Sequence, residues 1–286
     1  MSGNGQPPLP PDELPPLEST GTVPPAASPL AAPVPGDLDT PWGTLDLVVF
    51  FVFALGMLYL LSSLMALLAM VQFGVPANQI EQFGSTNAGF VVCRQVVWFA
   101  CILLYLYAVI RRRTSQPFWR TIGWRGLQLG TLRPAALVPM LLVGGAGLAI
   151  GADIASQFYK TEKPLPIQAL FTSRHGVEYL AAFAILVAPL AEETVFRGYV
   201  YPVLARRCGI LAGIALTGIL FGLVHVPQLW GGWGQIVTLT AVGMALTAVR
   251  AALRSVFASY LVHLAYNGFL FAGFLTDPNA LRHLPH

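Results

Sequence analysis

From Trp42 onward, apolar runs alternate with short polar connections. A transmembrane helix needs about 20 predominantly apolar residues, because each adds about 1.5 Å across a hydrocarbon layer of about 30 Å. Runs of that order cover 45–73, 88–110, 134–155, 177–205, 209–226, 234–250 and 255–275. The pattern predicts an all-α polytopic transmembrane helix bundle of 7–8 spans. The first and fourth runs exceed one crossing, so they must tilt or contain a break. The sixth is short and punctuated by glycine.

Residues 1–40 differ in kind. They are dense in proline, contain no Lys or Arg, and hold five of the 13 acidic residues. Such a segment cannot bury enough apolar surface to order itself. It also lacks the basic region and apolar run of a secretory signal. The expected organisation is a disordered Pro-rich tail over 1–40, a transmembrane helical domain over 41–276, and a short C-terminal tail over 277–286.

Composition agrees with this division. Only 10% of the residues are charged and 55% are hydrophobic, with a mean hydropathy of +0.65, whereas soluble domains carry about 25% charged residues. The formal charge of +3 is spread over the ends of the apolar runs, which excludes a nucleic-acid surface and reports topology instead. The connection 111–133 holds Arg111, Arg112, Arg113, Arg120, Arg125 and Arg133. By the positive-inside rule it is cytoplasmic, and Arg206, Arg207, Arg250 and Arg254 fall on the same side. Lys160, Lys163, Arg174 and Arg282 fall outside. The expected placement is a bacterial inner (cytoplasmic) membrane with the N-terminus cytoplasmic. Cys93, Cys101 and Cys208 show neither ligand nor disulfide spacing.

The chemistry lies in the few polar residues inside apolar runs. Between 178 and 276 the acidic residues are Glu178, Glu192 and Glu193, and the histidines are His225 and His263. An ionisable group near a helix centre costs about 2.5–3.5 kcal/mol to insert, so such groups face the bundle interior and mark function. Glu192 lies 15 residues before Arg207, and His225 lies 16 residues after Gly209. Both are therefore about 22–24 Å from the turn between the fourth and fifth runs. His263 and Asn267 enter the last run to about 12–18 Å. Residues from three spans can meet at one level.

Spacing separates the two glutamates. Glu193 and Arg197 stand at i and i+4 with the acid first, the favourable order for an ion pair. Glu192 points about 100° away. It has no local partner, which suits a general base. Phe221 and His225 share one helix face, as do His263 and Asn267. A His and an Asn stacked in this way supply two donors for an oxyanion on a peptide carbonyl. His225 facing Glu192 could polarise a water. Arg94, within the second run, has no assigned partner, with Asp46 and Asp153 as candidates.

The stretches "EETVFR", "FGLVH" and "HLAYN" resemble, in that order, the EExxxR, FxxxH and HxxxN/B signatures of the CPBP family, the CAAX proteases and bacteriocin-processing proteins. The resemblance covers about 177–275, the catalytic core that it implies. It implies an intramembrane endopeptidase of the CAAX type, a glutamate protease often labelled a metalloprotease, acting on membrane-associated proteins or peptides. Within it Glu192 and His225 activate water and His263 and Asn267 form the oxyanion site. Glu193, Arg197 and Phe221 support them.

Two other readings stand beside this one. Glu192, His225 and His263 are a conceivable zinc set. The expectation is nonetheless no metal and no cofactor, because the spacing has no local chelating pair and Glu–His can activate water directly. A transporter, scaffold or immunity protein could use the same buried polar site without catalysis. No inverted repeat of the kind many transporters carry is visible. The expected partners are the bilayer and a membrane-associated substrate.

Overall fold

The computed structural model describes residues 2–3, 36–159 and 164–276. Most of the expected N-terminal tail and all of 277–286 lie outside the described residues. A compact unit runs from Pro35 onward. Among its described residues the regular elements are all helices, with one isolated bridge between Leu129 and Leu132. The expectation of an all-α membrane bundle holds.

Six helices are long and apolar enough to cross a membrane: α1 Thr44–Phe73, α2 Ala88–Arg113, α3 Pro134–Ser156, α4 Arg174–Cys208, α6 Trp233–Leu253 and α7 Val256–Thr276. Between α4 and α6 runs the shorter α5, Ile210–Val224. It is the fifth expected span, and it falls short of one. Its 15 residues rise about 22 Å, less than the hydrocarbon thickness. Pro227 gives a reason, since the residue before a proline is pushed out of the helical region. The chain instead turns over 225–231 before α6 begins.

Local chemistry fixes the ends. Asn87 caps α2 by accepting from the Phe90 N–H at 3.0 Å, and Ser173 caps α4 by accepting from Gly176 at 3.1 Å. Arg111–Arg113 close α2, where the helix dipole favours cations. The turn between α4 and α5 is made by Gly209, at φ 87°.

The bundle is asymmetric. Half of the apolar window of α4 is buried within the protein, against 17% in α1, α2 and α3. α4 is thus the central helix, while α1 leaves Leu45, Val52, Leu55 and Tyr59 exposed to the surroundings that a lipid-facing helix meets. α5 packs along α6 through Gly218 and Gly243. A Cβ on Gly218 would come within 2.7 Å of the Met244 nitrogen, and one on Gly243 within 2.9 Å of the Phe221 ring. Among the described residues all three cysteines are free.

α4 is not uniformly α-helical. It is π-helical over Phe183–Val187 and again over Thr194–Val200. Each stretch is followed two residues later by a proline, Pro189 and Pro202. Proline lacks the N–H for the i−4 carbonyl and its ring crowds that carbonyl; a wider turn relieves both problems. The Ala188 N–H accordingly reaches Phe183 O, and the Tyr201 N–H reaches Phe196 O. The break anticipated in the long fourth run takes this form, on either side of Glu192 and Glu193.

Candidate functional site

α4 carries Glu192 and Glu193 on the regular turn between its two π-helical stretches. Glu193 is wholly buried and Glu192 half-buried. Arg197, also wholly buried, donates from Nη1 to Glu193 Oε1 at 2.8 Å. Two further donors reach α6: Nη2 reaches Gly243 O at 2.8 Å and Nε reaches Thr247 Oγ1 at 3.2 Å. A planar fork with fixed donors can hold two helices together in this way. The guanidinium also lies 4.6 Å from the centroid of the Phe221 ring on α5, within cation–π range.

α7 supplies His263, which is buried. Its Nδ1 is 2.9 Å from Glu193 Oε1. A carboxylate only accepts, so Nδ1 carries the hydrogen. The other ring nitrogen, Nε2, lies 3.8 Å from Glu192 Oε2. That is too long for a hydrogen bond, so neither group is consumed by the other.

His225 follows directly on the end of α5. Its Nδ1 sits 2.6 Å from Phe221 O, a carbonyl at the helix terminus that needs a donor. Nδ1 is therefore protonated, and Nε2 keeps a free lone pair in the neutral ring. The Phe221 ring lies between the two imidazoles, with centroids 4.7 Å from His225 and 5.8 Å from His263. Asn267, one turn beyond His263, donates from Nδ2 to Ala184 O at 2.6 Å. Ala184 is in the first π-helical stretch, where the Pro189-induced shift rearranges the carbonyl pairing.

The structure thus brings Glu192, Glu193, Arg197, Phe221, His225 and His263 around one another, and ties Asn267 to the neighbouring π-helical turn. Among the described residues no group of three or more His, Cys, Asp or Glu is placed to hold a metal ion. Arg94 does not reach Asp46, which is held by Arg113 through contacts of 2.5 and 2.6 Å; its buried Nε has no hydrogen-bond partner among the described residues.

Residues 175–269 match the family described as type II CAAX prenyl endopeptidase Rce1-like. The match covers about a third of the chain and contains every motif residue named above. It bears out the resemblance carried by the three motifs. It supports an intramembrane protease of the CAAX type in general, in a protein whose six long apolar helices fit an integral membrane protein. No curated protein and no solved structure matches the chain.

Four supporting contacts carried no sequence signal. Thr247 and Gly243 hold Arg197. Trp42 donates its indole N–H to Tyr199 O, inside the second π-helical stretch, at 2.9 Å. Trp124 donates its indole N–H to Thr194 Oγ1 at 3.0 Å. Trp119, Trp230 and Trp233 are exposed.

Proposed function

We propose that this chain is an intramembrane endopeptidase that hydrolyses peptide bonds of membrane-associated proteins or peptides. The observation that carries the reading is the relation of His263 to the two glutamates. One ring nitrogen is fixed by the buried Glu193–Arg197 pair, while the other faces Glu192 across a gap that leaves both free for a third group.

In this mechanism Glu192 is the general base and His225 orients the attacking water. The water oxygen bonds to the carbonyl carbon of the substrate while Glu192 takes a proton. His225 accepts a hydrogen bond from the water's second O–H at Nε2, the nitrogen left open when Nδ1 is committed to Phe221 O. Charge then develops on the substrate oxygen. His263, as imidazolium, donates to it from Nε2, and Asn267 offers the amide hydrogen not given to Ala184 O. Such donors are effective because they are already oriented when the charge appears. The intermediate collapses as Glu192 returns its proton to the departing amine.

Glu193 and Arg197 keep their partners throughout. The chain's own residues complete the reaction with no metal-dependent step. A tight zinc chelator is expected to leave turnover within about twofold; a loss reversed by added zinc would favour the zinc-dependent alternative. The setting is a bacterial cytoplasmic membrane with the N-terminus inside. The prenylated substrate in the family's description is not carried over.

The deciding experiment is terminal proteomics of membrane and secreted fractions, wild type against Glu192→Gln. New termini present in the first and missing from the second support proteolysis and name the substrate. Identical profiles, with a phenotype retained in the mutant, would sink the reading in favour of transport or binding at the same polar site.

A further inference from the structure

At the end of the bundle where α1 begins and α2 ends, a cavity of about 600 Å³ opens between the segment 39–41 and the basic connection after α2. It is remote in sequence from all three motifs. Arg113, Arg120 and Arg125 line it, together with Thr114 and Gln116. Asp39 is the acidic residue on its wall. Arg113 is already neutralised by Asp46 and also donates to Pro41 O at 3.1 Å. Arg120 and Arg125 are exposed, and their side chains have no hydrogen-bond or ion-pair partner among the described residues.

We propose that this cavity binds a phosphate-bearing anion, namely the headgroup of an anionic glycerophospholipid. Several features select that chemistry. Two unspent guanidinium forks match phosphate oxygens, which only accept hydrogen bonds. Gln116 adds neutral donors. The volume exceeds what a bare phosphate fills and leaves room for its glycerol. The position matches a headgroup as well. Trp119, next to Arg120, is 49% exposed, as befits an interfacial ring. Leu45, Val48 and Val49 on the first turns of α1 present exposed apolar surface along which acyl chains can lie. Basic pockets beside transmembrane helices on the cytoplasmic side are suited to such headgroups.

The occupant would touch a structural strap. Thr40 and Pro41 line the cavity, and Arg206 donates to Thr40 O at 3.1 Å and Trp42 O at 2.7 Å. The lipid therefore helps hold the segment whose Trp42 is tied to Tyr199.

The test is native mass spectrometry of the full chain, titrated with phosphatidylglycerol, phosphatidylcholine or inorganic phosphate. Phosphatidylglycerol should bind at least about tenfold more tightly than zwitterionic phosphatidylcholine. Each basic residue near an anionic lipid contributes about fivefold, so the double variant Arg120→Gln/Arg125→Gln should weaken phosphatidylglycerol about 25-fold. The matched pair Arg112→Gln/Arg207→Gln removes exposed arginines that do not line the cavity and should change affinity less than about threefold. Equal losses in the two pairs would mean a diffuse surface field and overturn the site, as would no loss in the first. Displacement of the lipid by micromolar inorganic phosphate would assign the cavity to a soluble anion and overturn the lipid. Thermal transitions of all variants check folding, and the outcome is independent of whether any peptide is cleaved.

Discussion

Glu193 and His263 are joined at 2.9 Å, although 70 residues separate them along the chain. The bond fixes which ring nitrogen of His263 turns towards Glu192, so a wholly buried residue sets the orientation of its neighbour in the cluster. Replacing the two neighbouring glutamates should therefore have different consequences. Glu193→Gln leaves Arg197 charged and buried without its carboxylate. Breaking a buried pair in this way costs about 3–5 kcal/mol. Its expected outcome is a large drop in thermal stability together with lost activity. Glu192→Gln should abolish cleavage with the thermal transition nearly unchanged. Melting both variants in the same detergent, alongside an activity assay, checks the contrast; equal destabilisation would refute it.

His225 is predicted to act on rate more than on binding. Its Nε2 is the open nitrogen, while Nδ1 holds Phe221 O. His225→Gln keeps a polar side chain but loses the imidazole lone pair. Misplacing the attacking water in this way costs about 10² in rate. Steady-state kinetics should record the fall in kcat with KM within about threefold; a change confined to KM would contradict the assignment.

Asn267 donates to Ala184 O and, in the proposed mechanism, to the oxyanion, and two readouts separate these roles. Asn267→Asp retains size but puts an acceptor opposite Ala184 O, so it should lose both stability and rate. Asn267→Ala removes the oxyanion donor and should cost about 10²–10³ in kcat. It also leaves the Ala184 carbonyl short of a partner, a loss of about 1–3 kcal/mol. The second effect is read by thermal melting without substrate, the first by turnover below the melting range.

Trp42 tests the strap. Its indole donates to Tyr199 O at 2.9 Å and its ring stacks on the Tyr199 ring with centroids 5.1 Å apart. Trp42→Phe keeps most of the stack and deletes the donor. The expected loss is about 1–2 kcal/mol from the unsatisfied carbonyl, with faster amide exchange in 194–200. Unchanged protection there would mean that the π-helical turn does not depend on the strap.

How much of this was legible depended on whether an interaction involves side chains at fixed spacing or the backbone. Glu193 with Arg197, and Phe221 with His225, are i,i+4 relations that the sequence displays directly. Depth counting brought Glu192 and His225 to one level because both lie in helices that share a turn at Gly209. The bond between His263 and Glu193 was not visible, since an unaligned sequence gives no azimuth for one helix against another. Nor were Gly243 O, Ala184 O and Tyr199 O, because every residue has a carbonyl and the pattern says nothing of which one is unpaired. The length of α5 misled the hydropathy reading for a related reason. Apolar character continues through Val226, but the backbone restriction imposed by Pro227 ends the helix at Val224.

The contact of Gly218 with Gly243 brings α5 against α6 with almost nothing between the two backbones. Spacing set by side chains shifts whenever a rotamer or a methyl group changes. Spacing set by missing side chains has no such adjustment. The lateral position of the polar cluster is thus gauged by main chain resting on main chain. The lipid-facing surfaces of α1 to α3 are free to drift in sequence while that gauge, and the separation of His225 from Arg197's anchor on α6, stays where it is.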